Sequence, residues 1–493
     1  MTPSRYQSTI YKAFQLTDKD INISAVAGSG KTTVLLELLK YVPRGESALF
    51  LAFNNSIVDE LRNRNTRTDA VIMTIHSCGW RAIMLAYGNK VKMNPNKAIS
   101  KIETVIKERS IDERKRGYYF YIIPRIVDLM RCNLCTEDRI EIDRMLLHYD
   151  VNADKTDVDI AMRVFELMNR DRRQFDFMDM IYVPLVDNRV RLHKYDCVFC
   201  DESQDFSRAQ QEFIRACISR RGRLVTVGDS NQAIYGFAGA DADSYERLSN
   251  LRGRSARLPL SVSYRCARKI VEEAQQIVPE IQSAPDAPDG RVVTGGTLRD
   301  LRRGDWVLCR NLRPLVAAYM WLLKNKVKSH IRGKDIGEGI LALIIKTKAR
   351  TLPELFAALK EEKVCLLEKL VRRGVRHPAY HPKMEVLFQR TEVIEFLSQE
   401  VETVEALKRL IERIFTDEER GIMLSTIHKA KGLENERVFF LCPELIPSRF
   451  ATQDWQFEQE QNLRYVAITR AKRELIYVRG DQFLVDIQSS VNL

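Results

Sequence analysis

The stretch VFCDESQDFS, residues 198–207, sets three carboxylates, Asp201, Glu202 and Asp205, within five positions directly behind an apolar run. Acidic residues after a strand are either a solvated turn or the groups that hold a cation and polarise a water. A second stretch decides between the two. In DINISAVAGSGKTTVLLELLKYV, Ile21 to Ser24 read as a short strand and Thr33 to Tyr41 as a helix, with small residues between them. Gly28 and Gly30 let the backbone wrap a phosphate with its N–H groups pointing inward. Lys31 then reaches the β- and γ-phosphates, and Thr32 offers its hydroxyl to Mg²⁺. Ala25 stands where the phosphate-loop pattern wants glycine, and Ala27, Ser29 and Thr33 complete the loop. With a phosphate cradle elsewhere in the chain, the acidic stretch reads as the other half of a nucleoside triphosphate site. Asp201 is expected to bind Mg²⁺, usually through water, and Glu202 to polarise the attacking water. A third strand, Leu224 to Val227, is broken by Gly228–Asp229 and followed by Gln232, an amide placed to read the γ-phosphate.

These groups need a scaffold, and the bulk composition bounds it. At 493 residues the chain is too long for one ordinary core, so two to four domains are expected. A composition 45% hydrophobic and 29% charged is ordinary for a folded protein. No run approaches the ~20 apolar residues of a membrane span. The start MTPSRYQSTIYKAFQ has no apolar core of a secretory signal. The expected setting is intracellular, in cytoplasm, nucleoid or nucleus, neither secreted nor membrane-bound. Lys and Arg number 78 against 66 Asp and Glu, and the resulting +12 suits a polyanionic partner. Of ten cysteines, Cys132/Cys135 and Cys197/Cys200 have metal-ligand spacing. The second pair lies in the strand-like CVFCD, where residues three apart face opposite ways, so the cysteines read as reduced packing residues.

With these three pieces in this order, the chain resembles the UvrD/Rep-like superfamily 1 helicases, from Gln7 to about Ile476. The resemblance implies ATP as the nucleotide, with Gln7 reading adenine. LFLAFNNSIVDEL is similar to the motif that sets Phe53 and Asn54 against single-stranded DNA, and TIHS to the next DNA-contacting segment, with Thr74 and His76. Gln232 becomes the phosphate sensor, and Tyr235 and Phe237 become base-stacking platforms, which tolerate any base. In LSVSYRCARKI the resemblance puts Tyr264 on adenine and makes Arg265 an arginine finger. In LSTIHKAKGLENERVFFL it puts His428 and Lys429 near DNA or phosphate and Glu434 on the ribose. NLRYVAITRAKREL supplies Arg470 as a second finger, and DWVLCRN supplies Asn311 as a DNA contact. Two arginines on one γ-phosphate suit a transition state that spreads charge over its oxygens. Departures are Phe237-Ala238-Gly239-Ala240 where the family commonly has Trp-Arg-Gly-Ala, and Asn435 where it commonly has Phe. The insertion from about Ile336 to Arg420 is short and points to a compact member, nearer the viral or F-box branch.

The implied fold is α/β: two RecA-like P-loop NTPase domains with parallel sheets, each carrying a mainly helical insertion. The first is expected over 1–84 and 190–263, with its insertion over 85–189. The second is expected over 264–335 and 416–493, with a small insertion over 336–415. Its strands are DWVLCRN, GIMLSTIH, RVFFLC and ELIYVRG. Within the first insertion FMDMIYVP gives a strand signal; the resemblance sets Asp179 near the DNA track, against a buried strand as the other reading. Arg372, Arg373 and Arg376 read as a solvated face or a duplex contact. The twenty or so residues after the last motif are too few for a nuclease domain. The expected function is an ATP-dependent DNA helicase or translocase, moving 3′→5′ as a monomer on single-stranded DNA and single/double-strand junctions. Single-strand-binding or recombination proteins are its candidate partners. The rival readings are a translocase that strips proteins from DNA, a nucleotide-gated DNA-binding module, and a P-loop enzyme acting on a small molecule.

Overall fold

The computed structural model describes residues 3–52, 55–88, 91–110, 116–149, 151, 153–234, 244–253, 255–372, 377–416 and 421–488. The chain forms two compact units, Met1–Ser261 and Val262–Leu493.

In the first unit, among the described residues, six strands form one parallel sheet. They are β1 (Asp20–Ala25), β2 (Ala48–Ala52), β3 (Val71–Thr74), β4 (Tyr195–Cys200), β5 (Ile218–Gly228) and β6 (Ser255–Leu260), in the order β3-β2-β4-β5-β1-β6. A parallel sheet is covered on both faces, which is why ALFLA and YDCVFC are nearly continuous apolar runs. Helices Arg5–Leu16 and Lys31–Lys40 cover one face through Ile10, Phe14, Val34, Leu35 and Leu38. Phe213, Ile214 and Ile181 cover the other. Between β3 and β4, helices Lys97–Glu108, Arg116–Asn133, Arg139–His148 and Lys155–Arg170 bury a core of their own around Ile122, Ile126 and Val164.

The strand signal of FMDMIYVP is overturned: Asp179–Val186 is a helix. Met180 to Val183 are all buried, and a short run buried all round carries no period that separates helix from strand. The start of the helix is nonetheless written in the sequence. Asp176 N–H donates to Asp179 Oδ2 (2.9 Å) and Asp179 N–H to Asp176 Oδ1 (2.8 Å), the reciprocal exchange across three residues that opens helices. Asp179 is 1% exposed, which removes it from any open DNA track.

In the second unit, six of the described strands are β7 (Arg291–Val293), β8 (Trp306–Cys309), β9 (Ser329–Ile331), β10 (Ile422–Thr426), β11 (Asn435–Leu441) and β12 (Ala471–Val478). They form a second parallel sheet in the order β7-β12-β11-β8-β10-β9. The expected α/β class with two parallel sheets is what the chain adopts. Helices Lys334–Thr347, Leu352–Arg372, Pro382–Leu397 and Val404–Ile414 lie between β9 and β10. Their Leu343, Ile344, Leu355, Val393 and Ile411 share one core with Leu315, Val316, Leu424 and Phe439 of the sheet layer. Arg372 ends its helix, and Arg373 and Arg376 lie outside the described residues. All ten cysteines are free, and all but Cys365 are buried. Among the described residues no helix is long and apolar enough to cross a membrane.

Candidate functional site

Neighbouring parallel strands end on the same edge of a sheet, and ligands bind there. β4, β5 and β1 are neighbours, so Asp201, Asp229 and the loop Ala25–Gly30 emerge together. The loop is built by two left-handed glycines, Gly28 (φ 71°) and Gly30 (φ 80°). Ser29 Oγ donates to Val26 O (2.8 Å) and closes the turn, with Ala25 and Ala27 buried beneath it. Lys31 Nζ meets Glu202 Oε2 at 2.7 Å, and Thr32 Oγ1 donates to Asp201 Oδ2 at 2.8 Å. Thr33 Oγ1 accepts from Arg64 Nη2 at 2.9 Å. Gln7 accepts from Ser4 N–H (2.9 Å) in a capping box, and its Nε2 lies 3.9 Å from where a Cβ on Gly30 would stand. The candidates Gln7, Gly28, Gly30, Lys31, Thr32, Asp201 and Glu202 thus surround one loop.

The charges are unbalanced. Burial pulls the Lys31 ammonium down, but Glu202, Asp201 and Asp229 outweigh it and hold it above its ordinary value. Burial, reinforced by Glu202, pushes the Asp201 carboxyl up to about 6, although Lys31 opposes the shift. Burial likewise pushes Asp229 up to about 6, again against Lys31. One buried ammonium does not neutralise these carboxylates, so the cluster has room for further positive charge. Thr32 and Asp201 offer a hydroxyl and a carboxylate oxygen, the hard ligands Mg²⁺ takes. Among the described residues no cluster of three or more His, Cys, Asp or Glu forms a metal cage. A cation here would keep water and phosphate oxygens as its other ligands, as Mg²⁺ commonly does.

Two residues were missed at the sequence level. Gln204, 2% exposed, donates through Nε2 to Glu202 Oε2 (2.6 Å) and accepts at Oε1 from Asp229 N–H (3.0 Å). Asp229, fully buried, accepts from Gln232 Nε2 (2.6 Å). Their signal was position: each is a polar residue on the sheet edge from which the loop Ala25–Gly30 emerges.

In the second unit, Glu434 and Arg470 immediately precede β11 and β12, on the amino edge of the sheet. Arg265 pairs with Glu434, which Lys472 Nζ also meets at 3.0 Å. Arg470 is 1% exposed and donates to Val466 O (3.1 Å) and Leu433 O (2.9 Å) of its own unit. Tyr264, next in sequence to Arg265, is 38% exposed. Asn311 and His428 follow β8 and β10, on the opposite, carboxyl edge. Burial, then Arg310 and Lys431, depress the His428 imidazole to about 3, so it is neutral. The nucleotide candidates and the DNA candidates of this unit therefore occupy opposite edges of one sheet.

Thr74 caps helix Ile75–Tyr87, accepting from Ser77 N–H at 3.1 Å. His76, with its basicity lowered by burial, meets the exposed ring of Phe177 edge-on at 6.5 Å. Phe53, Asn54, Tyr235, Phe237 and Ala238 lie outside the described residues.

Comparison with known proteins agrees with this geometry. Residues 7–251 match the UvrD/REP helicase N-terminal domain and residues 346–479 the UvrD-like helicase C-terminal domain. A probable DNA helicase of Mycoplasma pneumoniae is 24% identical over 95% of this chain and 82% of its own length. The ATP-dependent DNA helicase PcrA of Staphylococcus aureus is 24% identical over 54% of this chain, and that of Bacillus subtilis 25% identical over 54%. The matched stretches span 39% and 38% of those two PcrA proteins. The chain belongs to the UvrD/Rep-like superfamily 1, a family of ATP-dependent DNA helicases.

Proposed function

We propose that this protein is an ATP-driven motor that moves 3′→5′ along single-stranded DNA and separates strands at single/double-strand junctions. The observation that carries the reading is the joint placement of Lys31 against Glu202 and Thr32 against Asp201 at the carboxyl edge of a parallel sheet. On this reading Lys31 exchanges Glu202 for the β- and γ-phosphates, which frees the Glu202 carboxylate to orient and polarise the attacking water. Mg²⁺ bound by Thr32 and Asp201 supplies charge neutralisation for the phosphates. Gln7 and Tyr264 are assigned to adenine, Glu434 to the ribose, and Gln232, Arg265 and Arg470 to the γ-phosphate.

Phe53, Asn54, Thr74, His76, Tyr235, Phe237, Asn311 and His428 are assigned to DNA. Motion follows from differing affinity of the nucleotide-bound and nucleotide-free states for the strand. The motor domains are assigned to 1–84 with 190–263 and to 264–335 with 416–493, and the insertions to 85–189 and 336–415. We place the protein inside the cell, as a monomer that meets single-strand-binding or recombination proteins on DNA.

The test is ATP hydrolysis with and without single-stranded DNA, for the parent and for Glu202→Gln. DNA should raise the parent rate. The variant should bind ATP and lose roughly 10²–10⁴-fold in turnover, the usual contribution of a positioned base. Hydrolysis by E202Q near the parent rate would refute the assignment of the base.

A further inference from the structure

Glu202 adopts the left-handed conformation (φ 53°, ψ 44°), uncommon for a residue with a side chain, and Lys31 holds its carboxylate. Once Lys31 is drawn to phosphate, something else must hold it. Gln204 is in place to do so. Which end of its amide carries the oxygen follows from the neighbours: Asp229 N–H can only donate, so the Gln204 oxygen faces Asp229 and its NH₂ faces Glu202. The packing that allows this is close. A Cβ on Gly228 would stand 2.4 Å from Ser203 Oγ and 2.8 Å from Gln204 Oε1, so only glycine fits there.

We infer that Gln204 is a positioning residue for ATP hydrolysis: it holds the Glu202 carboxylate during turnover and ties it to the end of β5. This inference rests on the nucleotide site proposed above. The link continues, because the carboxylate of Asp229 accepts from Asn231 N–H (3.1 Å) and from Gln232 Nε2 (2.6 Å). The water-activating carboxylate and the γ-phosphate amide are thereby joined through two buried side chains, Gln204 and Asp229. Glutamine alone has the donor, the acceptor and the length for this place. Glutamate keeps the bond from Asp229 N–H but turns a donor toward Glu202 into a like charge. Alanine removes both bonds at once.

The test measures the affinity of a fluorescent ATP analogue and steady-state ATP hydrolysis, with single-stranded DNA, for parent, Gln204→Glu, Gln204→Ala, E202Q and the double variant E202Q/Q204E. Loss of a hydrogen bond to a charged group predicts a kcat lower by roughly 10–100-fold in Q204E. Analogue affinity and KM for ATP should stay within about 3-fold, because Gln204 touches no phosphate-binding group. In the E202Q background Q204E should cost nothing further, since the group it positions is already gone. The inference is overturned if Q204E turns over like the parent, if its loss adds fully to that of E202Q, or if affinity falls in step with kcat. Where Q204E folds poorly, Q204A supplies the same comparison. A parent that hydrolyses no ATP would instead refute the proposed function itself.

Discussion

Replacing Asp179 by asparagine strands a buried ammonium. Lys97 Nζ lies 2.7 Å from Asp179 Oδ2, with side-chain exposures of 0% and 1%. Lys97's remaining partner is the carbonyl of Asp171 at 3.3 Å, with the ring of Phe175 at 5.4 Å. Arg131 suffers less, because it keeps bonds to both oxygens of Asp176 (2.7 and 2.9 Å) and loses only a 3.7 Å contact to Asp179. Breaking one partner out of a buried pair costs about 3–5 kcal/mol. Burial already holds the Lys97 ammonium below its ordinary value, so loss of its proton sets the cost toward the lower end. For a unit of this size about 1 kcal/mol corresponds to roughly 2–4 °C, so a cost near ~3 kcal/mol should make the first unit melt roughly 6–12 °C lower. Scanning calorimetry of the full chain reads this directly. The double variant K97M/D179L, which removes both charges, should recover most of the loss. A D179N midpoint equal to the parent's would refute the buried pair. A fall in single-stranded DNA affinity at unchanged midpoint would return Asp179 to the DNA track.

Gly79→Ala should destabilise the first unit by about 3 kcal/mol or more in urea titration, because the new Cβ would stand 1.7 Å from Met180 O; a normal midpoint would contradict the helix contact. Asp187 is held well below its usual value, chiefly by its bond to Arg189, with Tyr87 and Arg172 adding to it. A carboxyl whose folded value lies below the unfolded ~3.9 stabilises fully above that pH and loses the contribution as pH falls further. Asp187→Asn should therefore be less stable at pH 7 and lose less on acidification below about pH 4, and equal acid slopes would contradict this. Arg310 meets Glu385 (3.0 Å) and Glu460 (2.9 Å) with little exposure on any of the three. Arg310→Ala should cost about 3–5 kcal/mol in the second unit's transition, and Glu385→Gln less, because Glu460 still faces the guanidinium.

The parts legible from sequence were those that chemistry places by residue type. A strand, two glycines and a following helical run specify a tight loop between strand and helix, and buried parallel strands such as YDCVFC declare themselves as apolar runs. Where burial is complete the signal fades. Met180 to Val183 look alike as helix or strand, and only the Asp176–Asp179 exchange at their head discriminates. Long-range polar pairing is not written locally at all. Nothing near Lys97 announces Asp179, 82 residues on, and nothing near Gln204 announces Asp229, 25 residues on. The second insertion was expected as a small helical insertion over 336–415, and its apolar positions fill the same core as the sheet it interrupts.

The proposed motor converts ATP hydrolysis into directed strand separation. Its most direct test is unwinding of duplexes carrying a 3′ or a 5′ single-stranded tail, with ATP and Mg²⁺, for the parent and E202Q. The parent should open the 3′-tailed duplex in an ATP-dependent way, and E202Q should open none. Opening of the 5′-tailed duplex alone, or equal opening without ATP, would contradict it.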